Sequence, residues 1–267
     1  MASPSSSAPQ LVVICEMDTS TPPLTALSVL DRANAFREKL KAARAAAPDV
    51  RWYPYDSMTN IEGMKRAIGG HDFPIERVVD IGPADGDIAF MFADAGAQVH
   101  AIEHPDTNYN NGAAIRALNA RFGNRVSLEF TDIDFGFRLD GQFDLCVMTG
   151  VAYHLRNPLL AYITIAQHCR YLITNTKVAD EFKGLDVGET PCAYLLAARE
   201  ANNDPTNWWI FSPAGYERLL NRTGWIVRNS FCVGAERGSV DQTANKRMWA
   251  FCERTPNYAR LTRHHDY

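Results

Sequence analysis

The stretch Val78-Val79-Asp80-Ile81-Gly82-Pro83-Ala84-Asp85-Gly86-Asp87 decides how this chain is read. An apolar run carrying one acid ends in a pair of closely spaced glycines. The apolar residues predict a buried strand, and the glycines permit a tight turn with close backbone approach. The spacing over 88–95 then predicts a helix. Strand, turn and helix in this order form the ligand-binding edge of an α/β sheet. A nicotinamide-binding loop, G-x-G-x-x-G, would place glycines where Ala84 and Asp87 stand, which argues against a dehydrogenase.

Outward from this loop, strands and helices alternate. Strands are predicted over 99–103, 126–130, 143–148 and 171–174, with helices over 113–121 and 159–168. Asn157 before Pro158 and Ser212 before Pro213 each pair a capping side chain with proline at the first helical position. The second of these helices should stop near Gly224. The runs 225–231 and 248–253 have no helix pattern between them and read as an antiparallel hairpin closing the sheet.

Upstream, 1–10 is rich in Ser, Pro and Ala and reads as a disordered tail, and 11–15 as a short strand. Leu27, Leu30, Ala33, Phe36 and Leu40 have helical spacing, with Thr25 as cap and Pro48 as terminator. Trp52-Tyr53-Pro54-Tyr55-Asp56 is too broken by Pro54 for a central strand. The segment 177–209, with a helix expected over 193–199, exceeds what an alternating core needs and suggests a lid. The chain thus divides into a tail (1–10), an N-terminal extension or cap (11–75), a core domain (76–254) with its insert (177–209), and a C-terminal tail (255–267).

With 267 residues and 46% hydrophobic content the chain can build a large core. Its 27 basic and 31 acidic residues leave a net charge of −4, which offers no general attraction for a polyanion. Cys15, Cys146, Cys169, Cys192, Cys232 and Cys252 show no C-x-x-C pair and mostly sit in apolar runs, so buried thiols are expected rather than zinc ligands. His264-His265-Asp266 has metal-binding residue types but no preorganisation, and no metal site is expected. Neither an export signal nor a membrane span is apparent, and a cytoplasmic protein is the expectation.

The pattern D-x-G-x-x-x-G, here Asp80, Gly82 and Gly86, resembles the first motif of class I S-adenosylmethionine-dependent methyltransferases. The resemblance implies a Rossmann-like α/β fold: a seven-stranded, mostly parallel sheet with an antiparallel last strand, here with an N-terminal helical extension and a lid-like insert. It implies S-adenosyl-L-methionine as cofactor, with Asp80, Gly82, Pro83, Ala84 and Gly86 beside its methionine part. Glu103 closes the second strand, where a carboxylate can accept hydrogen bonds from both ribose hydroxyls of a nucleoside; the same acid would suit NAD, or serve as a solvated strand end. In the resembling enzymes an acid after the third strand receives the adenine amino group and its neighbour's backbone a ring nitrogen. Asp132 and Ile133 occupy that place, with a loop cap as the alternative for Asp132. Thr149, at the end of the fourth strand, completes the cofactor set.

Gly150-Val151-Ala152-Tyr153-His154 followed by Pro158 is similar to the Gly-Val-Leu-Tyr-His-x-x-x-Pro signature of tRNA wobble-uridine carboxymethyltransferases. Trp52-Tyr53 and Asn207-Trp208-Trp209-Ile210-Phe211-Ser212 resemble that family's aromatic flanks, so that roughly residues 50–255 are covered. There, a tyrosine in the signature and basic residues upstream hold an extra carboxylate on the cofactor. Tyr153 matches, whereas Lys65, Arg66 and Arg77 lie in no recognisable motif, and ordinary S-adenosylmethionine is expected. His154 stands where an imidazole could take a proton from an acceptor hydroxyl. Alternatively it bonds within its loop, or Tyr153 alone orients the substrate. Trp52, Tyr53, Tyr153, Trp208 and Trp209, with Tyr55 and Phe211, are candidates for an aromatic substrate pocket, each also suited to core packing.

These readings favour methyl transfer to a small-molecule hydroxyl or amine, oxygen preferred. The alternatives are a tRNA-modifying (carboxy)methyltransferase, a non-catalytic module that keeps the cofactor fold, and, least suited to the glycine spacing, a nicotinamide enzyme. A nucleic-acid partner is disfavoured by the lack of basic runs, and a homodimer is one arrangement open to the chain.

Overall fold

The computed structural model describes residues 23–235 and 246–256. The readings of 1–10, 11–15, Cys15 and His264-His265-Asp266 fall outside the described residues.

The quoted stretch forms strand β1, Arg77–Ile81, buried on both faces, and helix α4, Asp87–Ala95. Ile88 through Ala93 are all buried, so this helix is enclosed on every side rather than amphipathic. Strand β2 (Gln98–Glu103), helix α5 (Ala113–Arg121), strand β3 (Val126–Phe130) and strand β4 (Phe143–Thr149) follow. Helix α6, Pro158–His168, starts where Asn157 Oδ1 accepts the Leu160 N–H at 3.4 Å, and runs into strand β5, Cys169–Lys177. Helix α7, Pro213–Arg222, is capped by Ser212 Oγ, which accepts the Gly215 N–H at 2.9 Å. Strands β10 (Trp225–Val233) and β11 (Arg247–Arg254) close the core.

The sheet has seven strands in the order β10-β11-β5-β4-β1-β2-β3. Strands β1 to β5 pair in parallel, and β11 is antiparallel to both its neighbours, β5 and β10. This is the mostly parallel, Rossmann-like sheet with an antiparallel last strand that the sequence predicts. Between β1 and β4 the connections change side, the place where such sheets bind ligands at the carboxyl ends of their strands.

The extension covers one face. Thr25 caps a helix as expected, but the helix is broken: α1 spans Ala26–Asp31 and α2 Ala33–Ala45, with Arg32 between them. Helix α3, Ile61–Ile68, completes this layer, and its Gly63 meets the Trp249 ring so closely that no side chain would fit. These helices, α4 and the sheet share one core; α6 and α7 form a second core on the opposite face.

The segment after β5 holds short hairpins: β6 (Glu181–Phe182) with β7 (Leu185–Asp186), and β8 (Ala193–Leu195) with β9 (Trp209–Phe211). The helix expected over 193–199 is therefore corrected to a strand and a turn. Pairing with Trp209–Phe211 overrides the local helix preference of Ala-Tyr-Leu-Leu-Ala-Ala. A small core of Ala179, Leu196, Ala201 and Ile210 holds the segment together. Among the described residues no helix is long and apolar enough to cross a membrane.

Candidate active site

The loop after β1 is a backbone cradle. Gly82 (φ 68°) and Gly86 (φ 92°) are left-handed, and so, unusually for a residue with a side chain, is Ala84 (φ 57°). A Cβ on Gly82 would collide with Val151 Cγ2, and one on Gly86 would come within 2.6 Å of Phe90. The turn is fastened by Gly82 N–H donating to Ile102 O at 2.9 Å and Gly86 N–H to Pro83 O at 2.8 Å.

Carboxylates surround this cradle. Glu103 accepts the Ala84 N–H on Oε2 and the His104 N–H on Oε1, each at 2.8 Å, which leaves further lone pairs on both oxygens. Burial pushes its pKa up against those two bonds. Asp80 is 3% exposed, and its Oδ2 has no hydrogen-bond partner among the described residues. Burial first, then the Glu103 charge, pushes its pKa to about 8.

Asp85 and Asp87 belong to a clamp on the extension rather than to the open cradle. Arg44 Nη2 donates to Asp87 Oδ1 at 2.8 Å and to Asp85 Oδ2 at 3.2 Å. Asp85 also accepts from Tyr53 N–H and Asn110 Nδ2, both at 2.9 Å. Burial nonetheless raises the Asp87 pKa to about 6. Trp52 lies under the Arg44 guanidinium, 5.1 Å from its ring centre, and packs on the first core. Tyr53 accepts the Tyr109 N–H on its hydroxyl at 2.9 Å, and burial lifts its pKa to about 12. Its ring meets Tyr55 and Tyr109, each at 5.2 Å. Desolvation raises the Tyr55 phenol too, with the neighbouring Tyr53 the next influence.

The other side is built by the turn after β4. His154 Nδ1 lies 3.2 Å from Thr206 O and 3.0 Å from Thr206 Oγ1, and that hydroxyl donates to Asp204 Oδ1 at 2.7 Å. A carbonyl oxygen only accepts, so Nδ1 carries the proton and Nε2 is the basic nitrogen. Burial lowers the pKa of the ring, against the pull of Asp204, and keeps it neutral. Trp208 N–H donates to Tyr153 O at 2.8 Å, so the insert docks on the Tyr153–His154 turn. Trp208 is 39% exposed, whereas Trp209 packs on the second core with its Nε1 unpartnered among the described residues. Thr149 is half-buried, and the Gly150 N–H donates to Asn175 O at 3.1 Å.

Asp132 caps its own turn, accepting the Asp134 N–H on Oδ1 at 2.9 Å, and takes Arg156 on Oδ2 at 2.6 Å; Ile133 is buried in the second core. The upstream cations point elsewhere: Lys65 pairs with Asp31, Arg66 lies over Phe231, and Arg77 binds the Gln142 and Asp140 carbonyls. The cation beside Tyr153 comes from downstream, and a second basic residue lies opposite it in the sheet. Arg247 Nη2 is 3.5 Å from Tyr153 Oη, and Lys177 is the direct cross-strand neighbour of Arg247. Sequence reading missed both, together with Arg44; each is an isolated basic residue whose partner is set by strand register or helix docking.

No family model matches the chain. Over 103 residues it is 31% identical to an uncharacterized methyltransferase of Mycolicibacterium gilvum (strain PYR-GCK), a match covering 39% of this chain and 38% of that protein. The N-terminal domain of EvdMO1, solved with S-adenosylhomocysteine bound, superposes with a TM-score of 0.52 at 16% identity, covering 82% of this chain and 96% of that one. The glycopeptide N-methyltransferase MtfA, in complex with S-adenosylhomocysteine, gives a TM-score of 0.51 at 16% identity over 76% of this chain and 92% of that one. These likenesses establish the class I methyltransferase fold.

Proposed function

We propose that this protein is an S-adenosylmethionine-dependent methyltransferase that methylates a small-molecule hydroxyl or amine, oxygen preferred. The observation that carries this reading is Asp80 Oδ2, a buried carboxylate oxygen left without a partner at the foot of a glycine cradle. A buried acid is costly unless a cation completes it. The cofactor brings an ammonium and a sulfonium, while NAD brings a pyrophosphate, which acids repel. The partial match to an uncharacterized methyltransferase and the S-adenosylhomocysteine bound by fold neighbours support the same cofactor.

Asp80 and the Gly82–Gly86 turn, including Pro83 and Ala84, would hold the methionine part, and the spare lone pairs of Glu103 the ribose hydroxyls. Asp132 and Ile133 would serve adenine, which requires Asp132 to keep its Arg156 pairing or exchange it. The bound cofactor supplies an activated methyl group on a sulfonium. The chain's own residues align the acceptor and exclude water. Tyr153 orients the acceptor, the neutral His154 takes its proton on Nε2, and Trp208 closes the cleft from the insert.

A small molecule suits the aromatic cluster of Tyr53, Tyr55 and Tyr109 and the docked insert. A tRNA-modifying role rests on the Gly150–Pro158 signature, and the net charge of −4 gives a polyanion no general attraction. Calorimetric titration with S-adenosylmethionine, S-adenosylhomocysteine and NAD tests the reading. Binding of the first two without NAD supports it; binding of none leaves a scaffold that keeps the fold without the cofactor.

A further inference from the structure

Lys177 ends β5 and Arg247 opens β11, and the antiparallel register sets them directly opposite one another on one face of the sheet. Like charges so placed repel. Lys177 is 3% exposed, and its Nζ has no hydrogen-bond partner among the described residues. Arg247 reaches Tyr153 Oη and Asn175 Oδ1, each at 3.5 Å, the long limit of a hydrogen bond, and both partners are neutral. The nearby carboxylate of Asp180 takes Lys246 Nζ at 2.6 Å. Burial and the Arg247 charge both press the Lys177 ammonium below the ordinary lysine range.

This pair sits at the reaction edge. Arg247 Nη1 is 3.7 Å from where a Cβ on Gly150 would stand, and its charge is one of the influences that lower the His154 pKa. A buried cation beside a second cation is destabilising unless an anion completes it. A guanidinium fork, an ammonium and a phenol hydroxyl are the kinds of donor that an oxyanion requires.

We infer that Lys177 and Arg247, with the Tyr153 hydroxyl, form a subsite for an oxyanion of the acceptor, so that the molecule methylated is an acid carrying a carboxylate or a phosphate. The inference rests on the methyl-transfer reading for its acceptor, but its anion site is measurable alone.

The full chain, with and without saturating S-adenosylhomocysteine, is titrated calorimetrically with benzoate and with inorganic phosphate, as are Lys177→Met and Arg247→Met. At least one probe should bind the wild type saturably and bind each variant about tenfold more weakly, as the loss of a charge-assisted hydrogen bond requires. Affinity for S-adenosylhomocysteine should stay within about twofold, since the pair lies outside the cofactor cradle. Whichever probe responds tells carboxylate from phosphate. Without anion, Lys177→Met should melt no lower than wild type, because an unpaired buried cation is replaced by an apolar chain of similar length; a purely structural lysine would give a lower melting temperature. Lys177→Arg, which keeps the charge, should retain most of the probe affinity and guards against misfolding in the methionine variants. Probe binding unchanged in both variants overturns the subsite. So does a loss of affinity confined to the cofactor, or to a cofactor carrying an extra carboxylate, which would assign the cations to the donor. If S-adenosylhomocysteine fails to bind while probe binding remains sensitive to Lys177, the oxyanion site stands and the methyl-transfer reading falls.

Discussion

The carboxyl edge of the sheet has two halves of opposite charge. On β1 and β2 stand Asp80 and Glu103, acids whose pKa values burial raises. On the turn after β4, and on β5 and β11, stand His154, Lys177 and Arg247, and burial lowers the first two. Each half gathers buried groups of one kind, acids or bases, that its own residues do not complete. The difference teaches that a near-neutral total can hide a polarised site: the acidic half suits a cationic methyl donor and the basic half an anionic acceptor. Composition, which sums the halves, is blind to this.

The largest effect that would sharpen the division is expected from Gly82→Val. A β-branched residue at φ 68° is strained, and its Cβ would strike Val151 Cγ2 across the boundary between the halves. Affinity for S-adenosylhomocysteine should fall about 1000-fold, in line with about 4 kcal/mol of strain and lost approach. Calorimetry on the folded variant reads it. Undiminished affinity would remove the cradle from the donor half.

His154→Ala acts on the other half alone. Turnover should fall about 100-fold, the usual contribution of a positioned base, with affinity for S-adenosylhomocysteine intact. A base at His154 would work in its neutral form, and burial lowers its pKa, so activity should be lost only as pH falls below the ordinary histidine range. A variant that keeps its turnover would leave His154 as the loop anchor that its Thr206 contacts already make it.

Arg44→Met tests whether the extension is part of the acidic half. Removing one partner of a buried ion pair costs about 3–5 kcal/mol. Arg44 is 23% exposed, and Asp87 relieves part of the loss by protonating, so about 2 kcal/mol is expected in chemical denaturation at pH 8. The Asp87 pKa is about 6 in the fold against 3.8 in its absence, so its protonated form is the one the fold favours. Stability from this group is full below 3.8 and is lost as pH rises through about 6. The destabilisation by Arg44→Met should therefore be smaller at pH 5 than at pH 8.

The fold was legible because its signals are local and periodic. Helix α5 and strand β3 begin and end where their spacing predicts. Ala193–Leu195 was misread because its partner, Trp209–Phe211, lies beyond a turn that the period does not reveal. On the acidic half the candidate residues Asp80, Gly82, Gly86 and Glu103 lie close along the chain, and on the other half the Gly150–Pro158 signature brings Tyr153 and His154 to notice. Lys177 and Arg247 meet only through antiparallel register, and Arg44 reaches Asp85 and Asp87 only because α2 docks on α4. Asp132 shows the limit in the other direction: its position fits an adenine ligand, yet its oxygens already serve a turn and Arg156.

The smallest effect is the most diagnostic of the acidic half. Asp80 has a pKa of about 8 in the fold against 3.8 unperturbed, so the free protein holds it protonated at neutral pH. The protonated form stabilises the fold; that contribution is complete below 3.8 and declines as pH rises through about 8. Asp80→Asn, which keeps the shape without the titration, should flatten the stability profile between pH 7 and 9. A cofactor ammonium beside Asp80 would restore the carboxylate, so binding of S-adenosylhomocysteine at pH 7 should release up to about one proton. Calorimetry in phosphate and in Tris, whose ionisation enthalpies differ, counts that proton directly. Release in the wild type and none in Asp80→Asn would make the orphaned oxygen the cation contact of the donor half. Equal heats in the two buffers would return Asp80 to a structural role and leave Glu103 as the acid that recognises the donor.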